Sequence, residues 1–284
     1  MYEDTMIINK GYDPQKSMGS LSTPIFMTST FCFSSAEEGE KSFRIAYGLD
    51  KKKENEDSCL IYSRVNNPNM EILEDKITIL DNSEKSLVFS SGMSAISNTI
   101  MSFLDTNDTI FYNEPIYGGT EYLFKTYLKK FKINCIPFES GIDSKKLNDQ
   151  IKKYNNVKAI FIETPCNPTT ILTSINDVKN IISDDILLIV DNTFNGPIFL
   201  KPIDLGADLV LYSMTKFIGG HSDLIAGCVS GKRNLIDKIK VTRTILGTTL
   251  DPETCWLVQR SLYTLKLRMS KQCENAKKLV NYLK

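Results

Sequence analysis

From residue 86 onward, short apolar runs return at intervals that leave room for a helix between most of them, and this recurrence constrains the fold more than any other feature. The runs are SLVFS (86–90), TIFYN (109–113), INCIPF (133–138), KAIFIET (158–164), ILLIVDN (186–192), DLVLYS (208–213) and IAGCVSG (225–231). They are rich in Ile, Val and Phe, as strands buried on both faces are. Between them, MSAISNTIMSFL (93–104) and INDVKNIIS (175–183) carry helical patterns. The prediction is an α/β protein whose central sheet is mostly parallel and flanked by helices, with its chemistry at the strands' carboxyl ends.

The flanks differ from this core, taken as residues 61–250. Residues 1–60, with STPIFMTSTFCFSS and the charged DKKKENEDS (50–58), have no repeating period and read as an extended N-terminal arm with an exposed loop. Such an arm needs another surface to lie on. Over 251–284, Asp251 and Pro252 open a helix whose apolar residues recur at Val258, Leu262, Leu265, Met269, Cys273, Ala276, Val280 and Leu283. That spacing predicts one unbroken long helix leading to a C-terminal domain absent from this sequence.

Charge and composition exclude several classes of function. Lys+Arg and Asp+Glu are equal at 34 each, so no net field recruits nucleic acid or an anionic membrane. No apolar stretch approaches the roughly 20 residues of a membrane span, and the polar start MYEDTMIINKGYDPQ is unlike a signal peptide, so the expected location is cytoplasmic. The 7 cysteines lack any CxxC pair, which indicates neither a disulfide framework nor a metal site.

Five features carry candidate chemistry. Asp191 ends a strand expected to be buried, where it reads either as a turn cap or as the partner of a protonated ring nitrogen. Lys216, in SMTKFIGGHSD, is either a surface charge or a nucleophile whose amine is activated by desolvation, with Ser213 and Thr215 beside it suited to holding an anion. Gly92 and Met93 open a helix after a strand, a natural phosphate site that many α/β turns mimic. Tyr117, in EPIYGGT, either stacks on a planar ligand or packs; Asn167, in ETPCNPTT, is either a turn residue or a ligand contact. A partner for a ring nitrogen, an amine for an aldehyde, a helix N-terminus for a phosphate and an aromatic for stacking are together the needs of pyridoxal 5'-phosphate (PLP).

The sequence resembles the cystathionine γ-synthase, cystathionine γ-lyase and methionine γ-lyase family across essentially its whole length. STPIFMTSTF, YSRVNNPNMEILE, SSGMSAI, YGGT, ETPCNPT, VDNTF, SMTKFIGGHSD and LDPETCWLVQRSL carry the likeness. The resemblance implies the PLP-dependent transferase fold of type I and PLP as cofactor. By the same resemblance Lys216 binds the cofactor aldehyde and moves protons, and Asp191 keeps the pyridine nitrogen protonated. It also gives Gly92, Met93, Ser213 and Thr215 as the phosphate cradle, Tyr117 as the stacking residue and proton donor to the leaving group, and Asn167 as the contact to the phenolic oxygen. Tyr62 and Arg64 match the pair that reaches the phosphate of a neighbouring subunit, implying a homo-oligomer, a dimer or tetramer. His221, the only histidine, is expected to support the lysine loop rather than transfer protons.

The implied reaction is γ-elimination or γ-replacement on a sulfur amino acid or O-acylhomoserine. Family members run longer and take an arginine from their C-terminal domain for the substrate α-carboxylate; none of Arg44, Arg64, Arg233, Arg243, Arg260 and Arg268 matches it by motif. The expectation is therefore a C-terminally truncated chain. Gly119 stands where methionine γ-lyases often carry cysteine, which leans toward the synthases and cystathionine lyases. Methionine γ-lyase and O-acylhomoserine sulfhydrylase are alternatives within the family. An inactive cofactor-binding fragment and an aminotransferase of the same fold are alternatives outside that chemistry.

Overall fold

The computed structural model describes residues 3–50 and 59–284; the charged run at 51–58 lies outside the described residues. In chain order the helices and strands are α1 (Glu3–Asn9), α2 (Ala36–Ala46), α3 (Pro68–Leu80), β1 (Lys85–Phe89), α4 (Gly92–Phe103), β2 (Thr109–Glu114), α5 (Gly118–Tyr122), β3 (Asn134–Glu139), α6 (Ser144–Ile151), β4 (Val157–Glu163) and α7 (Ile175–Lys179). There follow β5 (Leu187–Asp191), α8 (Gly196–Phe199), β6 (Leu209–Ser213), β7 (Gly227–Gly231), α9 (Arg233–Leu246), α10 (Pro252–Leu262) and α11 (Leu265–Leu283).

All seven apolar runs form strands of one sheet, in the order β1-β7-β6-β5-β4-β2-β3. The pairs β2–β3, β2–β4, β4–β5 and β5–β6 are parallel, and β7 alone runs against its neighbours β6 and β1. The period of two along each strand divides the apolar residues between two cores. On one face Val88, Phe111, Ile160, Val190 and Val210 meet Leu73 and Ile77 of α3, Val258 and Leu262 of α10, and Leu265 and Met269 of α11. On the other, Phe89, Ile110, Phe161, Ile189 and Leu211 meet Ala95, Ile96 and Ile100 of α4 and Ile236 and Ile239 of α9. Each such fully buried side chain contributes about 1.5–3 kcal/mol.

Because β7 is antiparallel, the chain leaves the carboxyl end of β6 and re-enters the sheet at the same end. Residues 214–226, which contain Lys216, therefore form an excursion over the carboxyl edge of the sheet. It is closed at its base by the Thr215 N–H and hydroxyl, both donating to the Ala226 carbonyl (3.2 Å each), and by the Ala226 N–H donating to the Thr215 hydroxyl (3.0 Å).

The structure departs from the sequence expectations in three places. The arm is not extended throughout: α2 is capped by the Ser35 hydroxyl, which accepts from the Glu38 N–H (3.2 Å). Around Phe26 the arm lies on the start of α3, where Asn69 accepts from the Phe26 N–H (2.9 Å) and Asn67 donates to its carbonyl (3.1 Å). The helix expected at 175–183 ends at Lys179. The single helix expected over 251–284 is broken at Tyr263–Thr264, where Thr264 takes φ −113° and ψ 4°. Val258, Leu262, Leu265 and Met269 are buried, but from Ala276 onward the apolar stripe is exposed. Among the described residues no helix is long and apolar enough to cross a membrane.

Candidate active site

The carboxyl ends of β4, β5 and β6 bring most of the predicted residues into one connected group. Asp191 ends β5 at 7% exposure, its Oδ1 accepting from the Thr193 N–H (3.0 Å) and the Thr193 hydroxyl (2.6 Å). The same Thr193 hydroxyl accepts from the Ser213 N–H (2.9 Å), so Thr193 ties the end of β5 to the end of β6. Burial pushes the Asp191 carboxyl upward, and the donors on Oδ1 are neutral and only partly oppose that.

Ser213 in turn meets the start of α4. A Cβ added at Gly92 would lie 2.8 Å from the Ser213 Cβ, and one at Gly227 would lie 2.2 Å from the Ser91 carbonyl oxygen. Both positions require glycine for this close approach. Ser91 caps the helix by accepting from the Ser94 N–H (3.0 Å), which leaves the N–H groups of Gly92 and Met93 at the positive end of α4 without intrahelical acceptors. Ser213 therefore borders the N-terminus of α4.

Tyr117 stands at the start of α5 with its side chain 45% exposed. A Cβ at Gly119 would fall 2.7 Å from its ring and 3.1 Å from the Met93 sulfur, so a larger residue at 119 would have to move the ring. Asn167 precedes a cis Asn167–Pro168 bond in the loop after β4. Lys216 is exposed on the 214–226 excursion. The desolvated lysine expected from its apolar approach is thus corrected: the run Leu209–Tyr212 is buried in the sheet, but Lys216 itself lies past the strand end, over the open edge. His221 is exposed, with Nδ1 hydrogen-bonded to the Gly219 carbonyl (2.7 Å) of its own loop.

Tyr62 and Arg64 do not join this group within the chain. Arg64 donates to the Thr244 carbonyl near the end of α9 (2.6 Å) and lies over the Tyr62 ring, which is partly exposed.

Sequence reasoning missed Glu163. It ends β4 directly beside Asp191 in the sheet register and is 4% exposed. One oxygen accepts from the Tyr117 N–H (3.0 Å) and the other from the Asn167 N–H (2.5 Å), so a single carboxylate sets the backbone of both. The available signal was IET, an acid closing a buried strand just as Asp191 closes VDN. Burial first, and the neighbouring Asp191 second, push the Glu163 carboxyl up to about 7 from its ordinary 4.5. Between those values the folded chain binds this proton more tightly than the unfolded chain, so stability is lost as pH rises through about 7. Urea titrations should show the cofactor-free protein less stable at pH 8 than at pH 5 by on the order of 2 kcal/mol from this group, and Glu163→Gln should flatten that part of the slope. An unchanged slope in the variant would contradict the assignment.

The sequence matches the profile of the family described as Cys/Met metabolism PLP-dependent enzyme over residues 4–284. An L-methionine gamma-lyase of Treponema denticola is 36% identical over 270 residues, covering 93% of this chain and 64% of that protein. A cystathionine beta-lyase of Lactococcus lactis is 36% identical over 282 residues, covering 98% and 68%. The solved structure of cystathionine gamma-lyase from Lactobacillus plantarum complexed with L-serine superposes with a TM-score of 0.85 at 33% identity, covering 100% of this chain and 69% of that one. This chain thus spans just under two thirds of the length of the methionine gamma-lyase it matches. On the strength of the match over residues 4–284, it belongs to the Cys/Met metabolism PLP-dependent enzyme family, whose cofactor is PLP.

Proposed function

We propose that this chain binds PLP at the carboxyl ends of β4, β5 and β6 and catalyses γ-elimination or γ-replacement on a sulfur amino acid or O-acylhomoserine. The observation that carries the reading is the buried Asp191 carboxyl, raised by burial and met on one oxygen by the two neutral donors of Thr193, whose charge a protonated ring nitrogen would balance. The rest of the donor set fits the same group. The Gly92 and Met93 N–H groups with Ser213 suit its phosphate, Tyr117 its ring face, Asn167 its phenolic oxygen and Lys216 its aldehyde; Thr215, whose N–H and hydroxyl both donate to the Ala226 carbonyl, would have to turn its hydroxyl to join the phosphate contacts. When bound, PLP supplies an electron sink that acidifies the bonds at the substrate Cα.

In this reading the Lys216 Nζ would take the proton from the substrate Cα, hand that proton on to become a free amine again, and only then take one from Cβ, which suits a side chain on an exposed excursion above the sheet. The Tyr117 hydroxyl delivers a proton to the departing γ-substituent, and Glu163 holds the Tyr117 backbone for that task. Asp191 keeps its charge facing the ring. Tyr62 and Arg64, placed away from their own chain's cradle, reach the phosphate of a second copy, so the active unit is a dimer or a higher oligomer.

By the resemblance, Gly119 in place of a cysteine leans toward the cystathionine-type reaction; in this structure a side chain there would press on the Tyr117 ring. Methionine γ-lyase and O-acylhomoserine sulfhydrylase activities are the alternatives. The test is to load the protein with PLP, add L-cystathionine, L-methionine or O-succinylhomoserine, and assay 2-oxo acid and ammonia. Release from L-cystathionine above the other two is expected. No release from any of them, and no cystathionine formed from O-succinylhomoserine with L-cysteine, with PLP bound, would replace this reading with a cofactor-binding protein lacking turnover.

A further inference from the structure

The excursion that carries Lys216 is held from outside the sheet by a residue of the α10–α11 junction. Arg268, in the first turn of α11 and half-buried, donates four hydrogen bonds. Nε donates to the Thr264 hydroxyl (3.1 Å) and Nη1 to the Phe217 carbonyl (2.8 Å), while Nη2 donates to the carbonyls of Ile218 (2.9 Å) and Ser261 (2.9 Å). All four acceptors are neutral. Two are the carbonyls of the residues directly after Lys216, and one is the Ser261 carbonyl in the last turn of α10, which also accepts from the Thr264 N–H (3.3 Å). A planar guanidinium can address these sites together, whereas a lysine ammonium is a point charge on a flexible stem.

The fit is close. A Cβ at Gly220 would lie 1.9 Å from the Arg268 Nη1, and Gly220 itself takes φ +76°, so the guanidinium occupies space that only glycine leaves open. Behind Lys216 the chain is tied by the Thr215–Ala226 bonds; ahead of it, the Gly219 N–H donates to the Met214 carbonyl (2.7 Å) and the Gly220 N–H to the Lys216 carbonyl (2.8 Å). Arg268 is the long-range link on the forward side, reaching about fifty positions back along the sequence.

We propose that Arg268 is a positioning residue for Lys216: by clamping the Phe217 and Ile218 carbonyls to the α10–α11 junction it fixes where the Lys216 backbone presents its amine. The inference rests on the reading of Lys216 as the cofactor lysine, and the experiment separates the two. Peptide-resolved hydrogen exchange over residues 214–222 is compared in cofactor-free wild type, Arg268→Ala and Arg268→Lys, alongside the rate at which added PLP produces its Lys216-dependent visible band. Loss of hydrogen bonds from a charged donor predicts exchange at the Gly219 and Gly220 amides faster by at least about tenfold in Arg268→Ala, with a comparable slowing of band formation. Arg268→Lys should fall between wild type and Arg268→Ala in both readings, and it alone supplies them if Arg268→Ala does not fold. Exchange over α4 and the sheet strands should not change. Wild-type exchange at Gly219 and Gly220 in the variants, or a wild-type rate of band formation, would overturn the proposal. If wild-type protein forms no band at all, the reading of Lys216 fails while the exchange comparison still decides whether the clamp exists.

Discussion

Replacing Lys216 with alanine is expected to abolish the visible band formed with PLP and to lower turnover by at least roughly 10²–10⁴-fold, the range for loss of a positioned proton-transfer group. The fold should survive, because Lys216 is exposed on the 214–226 excursion and surface substitutions of this kind usually change stability by less than about 0.5 kcal/mol. Function and stability therefore part company at this residue. Absorbance after PLP addition and a urea titration, run on the same two proteins, read the two effects. A variant that forms the wild-type band would assign the aldehyde to another amine.

Asp191→Asn should produce the second large effect, with opposite signs for function and stability. The asparagine carbonyl can still accept from the Thr193 N–H and hydroxyl, so the local geometry is retained. Without the charge, turnover should fall by about 10²–10³-fold, the scale seen when a preorganised electrostatic contact is removed. The cofactor-free protein should instead become more stable at pH 8. Burial raises the Asp191 carboxyl, so ionising it in the folded state costs free energy that asparagine avoids. A cofactor-free variant less stable than wild type at pH 8 would show that the carboxylate already has a cationic partner.

The sheet and several of these residues were legible in the sequence for a definite reason. A strand buried on both faces must be apolar throughout, so Asp191 at the end of ILLIVDN and the lysine just past DLVLYS stand out against their surroundings. Other features rest on contacts between distant positions. Glu163 matters because its two oxygens meet Tyr117 and Asn167, and neither bond is implied by the residues adjoining it. The break between α10 and α11 leaves the apolar spacing intact from Val258 to Met269; it is set by the backbone at Thr264 and by Arg268 taking the Ser261 carbonyl. In α2 the buried positions are Gly39 and Ser42, so no apolar period existed to detect, although the Ser-x-x-Glu cap at Ser35 and Glu38 was readable. Only the environment of Lys216 was misread, since burial of a strand says little about the residue that leaves it.

The central claim is that one group of residues at the sheet's carboxyl edge holds PLP with Lys216 as its amine. The most direct test is to incubate the protein with PLP, trap the bound cofactor by borohydride reduction, and map the labelled peptide by mass spectrometry. The account predicts one dominant label, on Lys216, lost in Lys216→Ala and weakened in Gly92→Ala, where the added Cβ would press on Ser213. Label spread over the many other lysines, or undiminished in Lys216→Ala, would contradict it.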